Sequence, residues 1–101
     1  MEKHKVFWRP EAIQDVDEHL IFLSKVSMEA AYQLNEQLLN AANSLIDFPE
    51  RNPLFEMNES FPYKTRKMVV NKKYLLIYVI EDGTVKIYRV LDTRKKFEYL
   101  I

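Results

Sequence analysis

The chain has 101 residues, of which 48% are hydrophobic and 13% aromatic, so it can close one small core, and we expect a single domain over residues 1–101. It has no cysteine and only one glycine, which excludes disulfides and glycine-rich phosphate loops, and its two histidines, His4 and His19, lie far apart in sequence, which argues against a zinc site. The formal net charge is zero, but residues 1–61 carry five Lys/Arg against eleven Asp/Glu, whereas residues 62–101 carry ten against four. This asymmetry indicates either a surface for a polyanion on the second half or a solvated basic face.

Helical periodicity dominates the first half. Residues 6–8 are aromatic and β-branched and predict a first strand, and Pro10 suits the first position of a helix. Apolar residues then recur every three or four positions up to about Lys25. Ser27 is typical of the N-cap of a second helix, which we expect to end at Phe48 because a proline follows. Two helices this close in sequence predict an antiparallel helical hairpin.

The second half has the period of strands. Residues 50–61 have no period and predict a loop, residues 64–70 a strand and residues 71–73 a turn. Residues 74–80 are mostly apolar and predict a central strand, which Asp82-Gly83 connects by a hairpin turn to a last strand over residues 85–91. The order β-α-α-β-β-β predicts an α+β domain, in which the N-terminal helical hairpin packs on a mainly antiparallel four-stranded sheet.

Four short motifs follow one another along the chain. They are Trp8-Arg9-Pro10-Glu11-Ala12 with Asp15, then Leu45-Ile46-Asp47-Phe48-Pro49, then Tyr74-Leu75-Leu76-Ile77-Tyr78-Val79, and finally Val85-Lys86-Ile87-Tyr88-Arg89-Val90-Leu91 with Arg94. In this order and spacing they resemble the RelE/ParE superfamily of toxins from type II toxin–antitoxin systems. The resemblance covers nearly the whole chain.

The resemblance implies a small bacterial growth inhibitor that a co-expressed antitoxin neutralises by wrapping over it. Some members cut mRNA, usually in the ribosomal A site, and need no metal, whereas others poison DNA gyrase, and an inactive fold that only binds its antitoxin is a third possibility. We expect no cofactor and no metal. The chain shows no signal peptide and no apolar run long enough for a bilayer, so we expect a cytoplasmic protein without a membrane partner. A homodimer and a toxin–antitoxin hetero-oligomer both remain open.

Metal-free RNA cleavage needs cations around the phosphate, a base and an acid. We expect Arg66 and Arg94 to stabilise phosphate charge, because the arginine fork suits phosphate, and Asp92 or Tyr99 to transfer protons. Asp92 takes the place of a histidine that many relatives carry. The candidate nucleic-acid contacts are Lys64, Lys67, Arg89, Lys95 and Lys96.

Each candidate also has a structural alternative. Asp92 can instead pair with Arg94, and Arg89, which we place on one face with Ile87 and Leu91, can pair with Asp92 or Glu81. Lys95 and Lys96 can be a solvated tail, and His19 falls on the polar side of its helix. The further candidates for the base are Glu56 and Glu59. The sequence favours ribosome-associated mRNA cleavage, while the missing histidine and the zero net charge favour gyrase.

Overall fold

A computed structural model describes residues 3–55 and 63–94. The elements are β1 (Lys5–Trp8), α1 (Pro10–Ser24), α2 (Met28–Ser44), a 3-10 turn (Pro49–Arg51), β2 (Arg66–Val70), β3 (Tyr74–Glu81) and β4 (Thr84–Asp92). The predicted order β-α-α-β-β-β is therefore confirmed. The strand expected to begin at Lys64 begins two residues later, at Arg66.

The four strands form one sheet in the order β1-β4-β3-β2. β1 runs parallel to β4, and the β4–β3 and β3–β2 pairs are antiparallel, which confirms a mainly antiparallel sheet. The β3–β4 hairpin turns at Asp82 and Gly83, both of which have positive φ (51° and 75°). A turn with two left-handed residues matches the twist of the strands that it connects, and an Asp-Gly pair adopts it readily.

The starts of both helices follow their local chemistry. Pro10 is the first residue of α1, where its missing N–H leaves no hydrogen bond unmade. Ser27 has an extended backbone, and its hydroxyl accepts the Ala30 N–H at 3.1 Å. The predicted N-cap of α2 is therefore confirmed.

The end of α2 differs from the prediction. The helix stops at Ser44 rather than at Phe48, whose φ of 52° is left-handed. The Arg51 guanidinium donates to the carbonyl oxygens of Ser44 and Asp47, at 3.0 and 2.7 Å. The Ile46 carbonyl accepts the His4 N–H at 2.9 Å. These contacts bind the Ser44 carbonyl at the end of the helix and the two carbonyls just beyond it, so the chain after Ser44 is held in a non-helical path one turn before the predicted end.

The helical hairpin covers one face of the sheet. Leu34 and Leu38 of α2 and Leu76 and Ile87 of the sheet lie in the main core and are 0–1% exposed. Leu75, Ile77 and Leu91 belong to a second cluster, against which Phe55 packs. Since neighbouring residues of a strand point to opposite faces, both faces of β3 are apolar, as the sequence predicts for a central strand.

A β-bulge interrupts β4. Ile77 of β3 pairs with Arg89, but the next residue, Tyr78, pairs with Ile87, so Tyr88 is an extra residue. Ile87 belongs to the main core, whereas Leu91 belongs to the second cluster. The prediction that Arg89 shares one face with both is wrong, because the extra residue shifts the alternation of side chains within the strand.

Candidate functional site

Two candidate catalytic residues bind each other where β4 ends. Arg94 donates from Nε to Asp92 Oδ1 at 2.8 Å and from its terminal nitrogen to Oδ2 at 2.7 Å, and its backbone N–H also donates to Oδ1. The Asp92 residue is 9% exposed. The hydrogen bonds from Arg94 hold the pKa of Asp92 below its usual range, although burial opposes them. The structural alternative that the sequence left open, an ion pair between Asp92 and Arg94, is therefore present.

Aromatic and imidazole rings support this pair from the core side. The Arg94 guanidinium carbon lies 6.0 Å from the centre of the Tyr74 ring, and that ring lies 5.0 Å from the His19 ring. His19 Nε2 is 2.8 Å from the Val90 carbonyl, which can only accept, so Nε2 carries the proton. His19 is therefore a half-buried interface residue and not the surface residue that helical periodicity suggested.

Arg89 forms the most enclosed ion pair in the described part of the chain. Its Nε and a terminal nitrogen donate to the two carboxylate oxygens of Asp15 at 2.6 and 2.9 Å. Asp15 is 8% exposed and also accepts the Val90 N–H at 2.9 Å. The expected partners of Arg89 were Asp92 and Glu81, and both are wrong, because the bulge directs Arg89 to α1. The pair joins the helical hairpin to the sheet.

Arg66 holds the loop that precedes β2. Its guanidinium donates to the carbonyl oxygens of Glu50 and Asn52, at 3.0 and 2.7 Å. Beside it, the buried Tyr78 hydroxyl donates to the Pro49 carbonyl and accepts from Asn52 at 3.0 Å. Burial raises the pKa of Tyr78 above its ordinary value, so the phenol stays protonated and continues to donate.

The sheet register keeps the two candidate phosphate-binding arginines apart. Arg66 pairs with Tyr78, whereas Tyr74 pairs with Asp92, two residues before Arg94. Tyr78 and Tyr74 are four residues apart on one strand, which corresponds to about 13 Å. Arg66 therefore lies beside the middle of β3, whereas Arg94 follows the strand that pairs with the first residue of β3.

The other candidates lie on or beyond the same sheet. Lys64 is exposed just before β2, and Lys67 Nζ lies 5.7 Å above the Phe55 ring. The remaining predictions, Lys95, Lys96, Tyr99, Glu56 and Glu59, fall outside the described residues. Within the described ranges, no group of three or more His, Asp or Glu side chains comes together to hold a metal ion. No helix of residues 3–55 and 63–94 is both long and apolar enough to cross a membrane.

Three residues that the sequence did not place among the candidate site residues organise this region. They are Asp15, His19 and Tyr78. Asp15 and His19 lie three and seven positions after the fully buried Ala12, so all three share one side of α1. A carboxylate and an imidazole in line with a buried alanine indicate a buried partner for each, and this signal is present in the sequence.

Comparison with known proteins identifies the family. The model of the ParE toxin of the type II toxin–antitoxin system parDE matches residues 6–97. Toxin RelE2 of Caulobacter vibrioides is 30% identical over 86 residues, which cover 85% of this chain and 91% of that protein. A structure of the chromosomal ParDE toxin–antitoxin system from P. aeruginosa superposes with a TM-score of 0.70 at 12% identity and covers 89% of this chain and 96% of its own, which supports the fold. The chain is a toxin of the ParE family in the RelE/ParE superfamily, and its family implies an antitoxin as its partner.

Proposed function

We propose that this toxin inhibits growth by binding a protein target, DNA gyrase, rather than by cutting mRNA. The observation that carries the proposal is that the arginines expected to stabilise a cleaved phosphate already serve as structural contacts. Arg94 is bound by Asp92, and Arg66 by two backbone carbonyls. These contacts use part of the donor set of each guanidinium group and fix its direction, and the sheet register places the two arginines about four residues apart along β3, on strands that flank it on opposite sides.

The state of Asp92 supports the same proposal. A general base near neutral pH works best when its pKa lies close to that pH. Arg94 instead moves the pKa of Asp92 downward, away from neutrality, and covers both of its oxygens. Arg89, a candidate RNA contact, has its guanidinium bound to Asp15. The matching family model is that of a ParE toxin, and the family resemblance attributes gyrase poisoning to the ParE-like members.

Ribosome-associated mRNA cleavage is the second candidate. The excess of ten Lys/Arg over four Asp/Glu in residues 62–101 and the 30% identity to a protein named Toxin RelE2 favour it. Its remaining groups would be the exposed Lys64, together with Lys95, Lys96 and Tyr99. A third candidate is a fold that binds its antitoxin and has no toxicity.

The test is to induce the protein in a bacterial host without antitoxin and to pulse-label with thymidine and methionine. We expect thymidine incorporation to fall first, and the purified protein to inhibit supercoiling by gyrase. A folded Arg66→Ala/Arg94→Ala variant should still inhibit growth. If methionine incorporation falls first and this variant is inert, mRNA cleavage is the function. If neither label changes, the fold is inactive.

A further inference from the structure

The turn between β2 and β3 contains a residue that is uncommon for its backbone conformation. Asn71 and Lys72 both have positive φ, 52° and 59°. Glycine adopts this left-handed region without strain and asparagine tolerates it, but a lysine is rarely found there. The turn between β3 and β4 also has two left-handed residues, Asp82 and Gly83, and its second residue is the glycine. The chain therefore carries a lysine at the position where its other hairpin turn carries glycine.

A residue that keeps a strained backbone in an exposed turn indicates a role for its side chain. Lys72 is exposed, so the core does not require it, and it makes no ion pair with any residue of the described ranges. Lysines on an edge strand can block the addition of another strand, but Lys72 lies in the turn, beyond the last residue of β2. What distinguishes it from a glycine is a charged amine in solvent.

The same turn presents a second exposed lysine and is fixed to the end of β4. Lys73 is exposed and likewise has no ion-pair partner among residues 3–55 and 63–94. Its carbonyl accepts the Thr93 backbone N–H at 2.8 Å and the Thr93 hydroxyl at 3.0 Å. The two amines therefore extend from a backbone that is held in one place. We call this surface the lysine turn and define it by Asn71, Lys72 and Lys73.

The lysine turn lies in a stretch of the chain without negative charge. Residues 63–80 contain five Lys/Arg and no Asp or Glu. After that stretch, Asp92 is held in an ion pair, and Glu81 and Asp82 lie at the other end of β3, about 25 Å away along the strand. No carboxylate of the β2–β4 region is therefore placed to neutralise the two amines, which makes the lysine turn suited to a polyanion.

The side chains of the lysine turn favour a phosphate backbone over a protein segment as the polyanion. A protein partner normally binds around a buried aromatic or apolar anchor. The lysine turn offers one amide and two amines and has no such anchor. Phosphate oxygens are bound by lysine and asparagine side chains without an apolar anchor, and the attraction depends mainly on charge.

We propose that the lysine turn binds the phosphate backbone of duplex DNA. The proposal rests on the proposed function, because gyrase acts on DNA and a toxin bound to gyrase meets that duplex at its target. The arginines of the sheet are engaged in internal contacts, whereas Lys72 and Lys73 are available to phosphate. The contact adds to the protein contact with gyrase and does not depend on DNA sequence.

The first test measures binding of the purified toxin to a short labelled DNA duplex by fluorescence anisotropy at several salt concentrations. Lys72→Gly/Lys73→Gln removes both amines of the lysine turn. The matched control, Lys3→Gln/Lys5→Gln, removes two exposed amines near the other end of the sheet, where Lys5 pairs with Thr84. We expect the turn variant to bind about tenfold more weakly at low salt, with a slope of log affinity against log salt reduced by about two. The control should stay within about twofold of the wild type.

The single variant Lys72→Gly separates a binding role from a structural one. Because glycine relieves the left-handed strain, we expect its melting temperature to rise by about 3 °C while its affinity for the duplex falls about threefold. A lower melting temperature would show that the Lys72 side chain stabilises the fold, and the inference would be wrong.

Two further probes identify the occupant. Single-stranded RNA and a glutamate peptide of equal charge both have a lower charge density than duplex DNA, so we expect both to bind more weakly. Tighter binding of RNA would make RNA the occupant, and equal binding of the peptide would make it an acidic protein segment. Either result would overturn the assignment of DNA.

The remaining outcomes separate the DNA contact from the identity of the target. If the turn variant binds the duplex like the wild type, or the control loses as much affinity, the inference is wrong even where the wild type inhibits purified gyrase. If the wild type binds DNA through the lysine turn but does not inhibit gyrase, the DNA surface stands and gyrase is the wrong target.

Discussion

The basic sheet and the acidic helical hairpin use their charges in opposite ways. On the sheet, Arg66, Arg89 and Arg94 each bind internal acceptors, and two of these acceptors are buried carboxylates. On the hairpin, four of six carboxylates have no ion-pair partner among the described residues. A count of charges marks the sheet as the binding surface, but the contacts of those charges mark it as a structural framework. The carboxylates that remain available to a partner are on the helices, and among the described cations the exposed lysines, such as Lys64, remain available as well.

Among the substitutions that test this contrast, removal of the most enclosed cation of the sheet should change the free energy of unfolding most. We expect Arg89→Ala to lower the free energy of unfolding by about 3 kcal/mol, because it leaves the buried Asp15 carboxylate without its guanidinium partner. Urea denaturation followed by the fluorescence of Trp8, the only tryptophan, measures it. Lys86→Ala is the matched control, since Lys86 pairs with Glu81 on the surface, and it should cost less than about 0.5 kcal/mol. Equal costs would remove the distinction between structural and surface cations.

The second largest loss of stability should follow from removal of the Tyr78 hydroxyl, which lies beside Arg66 and holds the same loop. Tyr78→Phe removes the hydroxyl that binds the Pro49 carbonyl and Asn52, so we expect a loss of about 2 kcal/mol of unfolding free energy. Tyr32→Phe removes a hydroxyl from a ring that is 70% exposed and should leave stability unchanged. The same denaturation experiment compares them, and a neutral Tyr78→Phe would show that Arg66 alone holds the loop.

The ion pair between Asp92 and Arg94 should make the stability of the protein depend on pH. The folded-state pKa of Asp92 lies below the unfolded value near 3.8, so its contribution is present above that pH and is lost as the pH falls through the folded pKa. Arg94→Ala removes the main cause of the shift. We expect the variant to melt at a lower temperature than the wild type at neutral pH, and the difference to shrink below about pH 4. A melting-temperature difference that is constant with pH would contradict a pKa lowered by Arg94.

Substitution of exposed carboxylates on the helical hairpin should change stability least. Asp17→Asn/Glu36→Gln removes two exposed carboxylates that make no ion pair with a described residue, and we expect stability to stay within about 0.5 kcal/mol of the wild type. Urea denaturation measures the difference. A loss above about 1 kcal/mol in the free energy of unfolding would show that these carboxylates also stabilise the fold.

Local chemistry explains which structural features the sequence could predict. The N-cap at Ser27, the first helical residue Pro10 and the turn at Asp82 and Gly83 depend on side chains within three residues, and all three are confirmed. The element order followed from the change of period. This order, together with the four sequence motifs, was sufficient to recognise the family.

Features that depend on distant contacts could not be predicted in this way. The early end of α2 involves contacts from Arg51 and from the backbone of His4. The rule that a helix ends before a proline uses only Phe48 and the proline after it, so it cannot predict these contacts. The partner of Arg89 depends on a bulge that no local pattern indicates, and Asp15 lies far away in sequence. Whether Arg66 and Arg94 meet depends on sheet register, which side-chain types alone do not fix.

The parallel pairing of β1 with β4 also has a consequence for synthesis. In the sheet order β1-β4-β3-β2 the first strand has β4 as its only neighbour, and Asp15 of α1 meets its arginine on the same late strand. A nascent chain that lacks β4 cannot add β1 to the sheet or form the ion pair between Asp15 and Arg89, because these contacts close nearly the whole sequence into one loop. The ribosome that makes this toxin therefore releases almost the entire chain before a native molecule can form, which gives an antitoxin the length of translation in which to be present first.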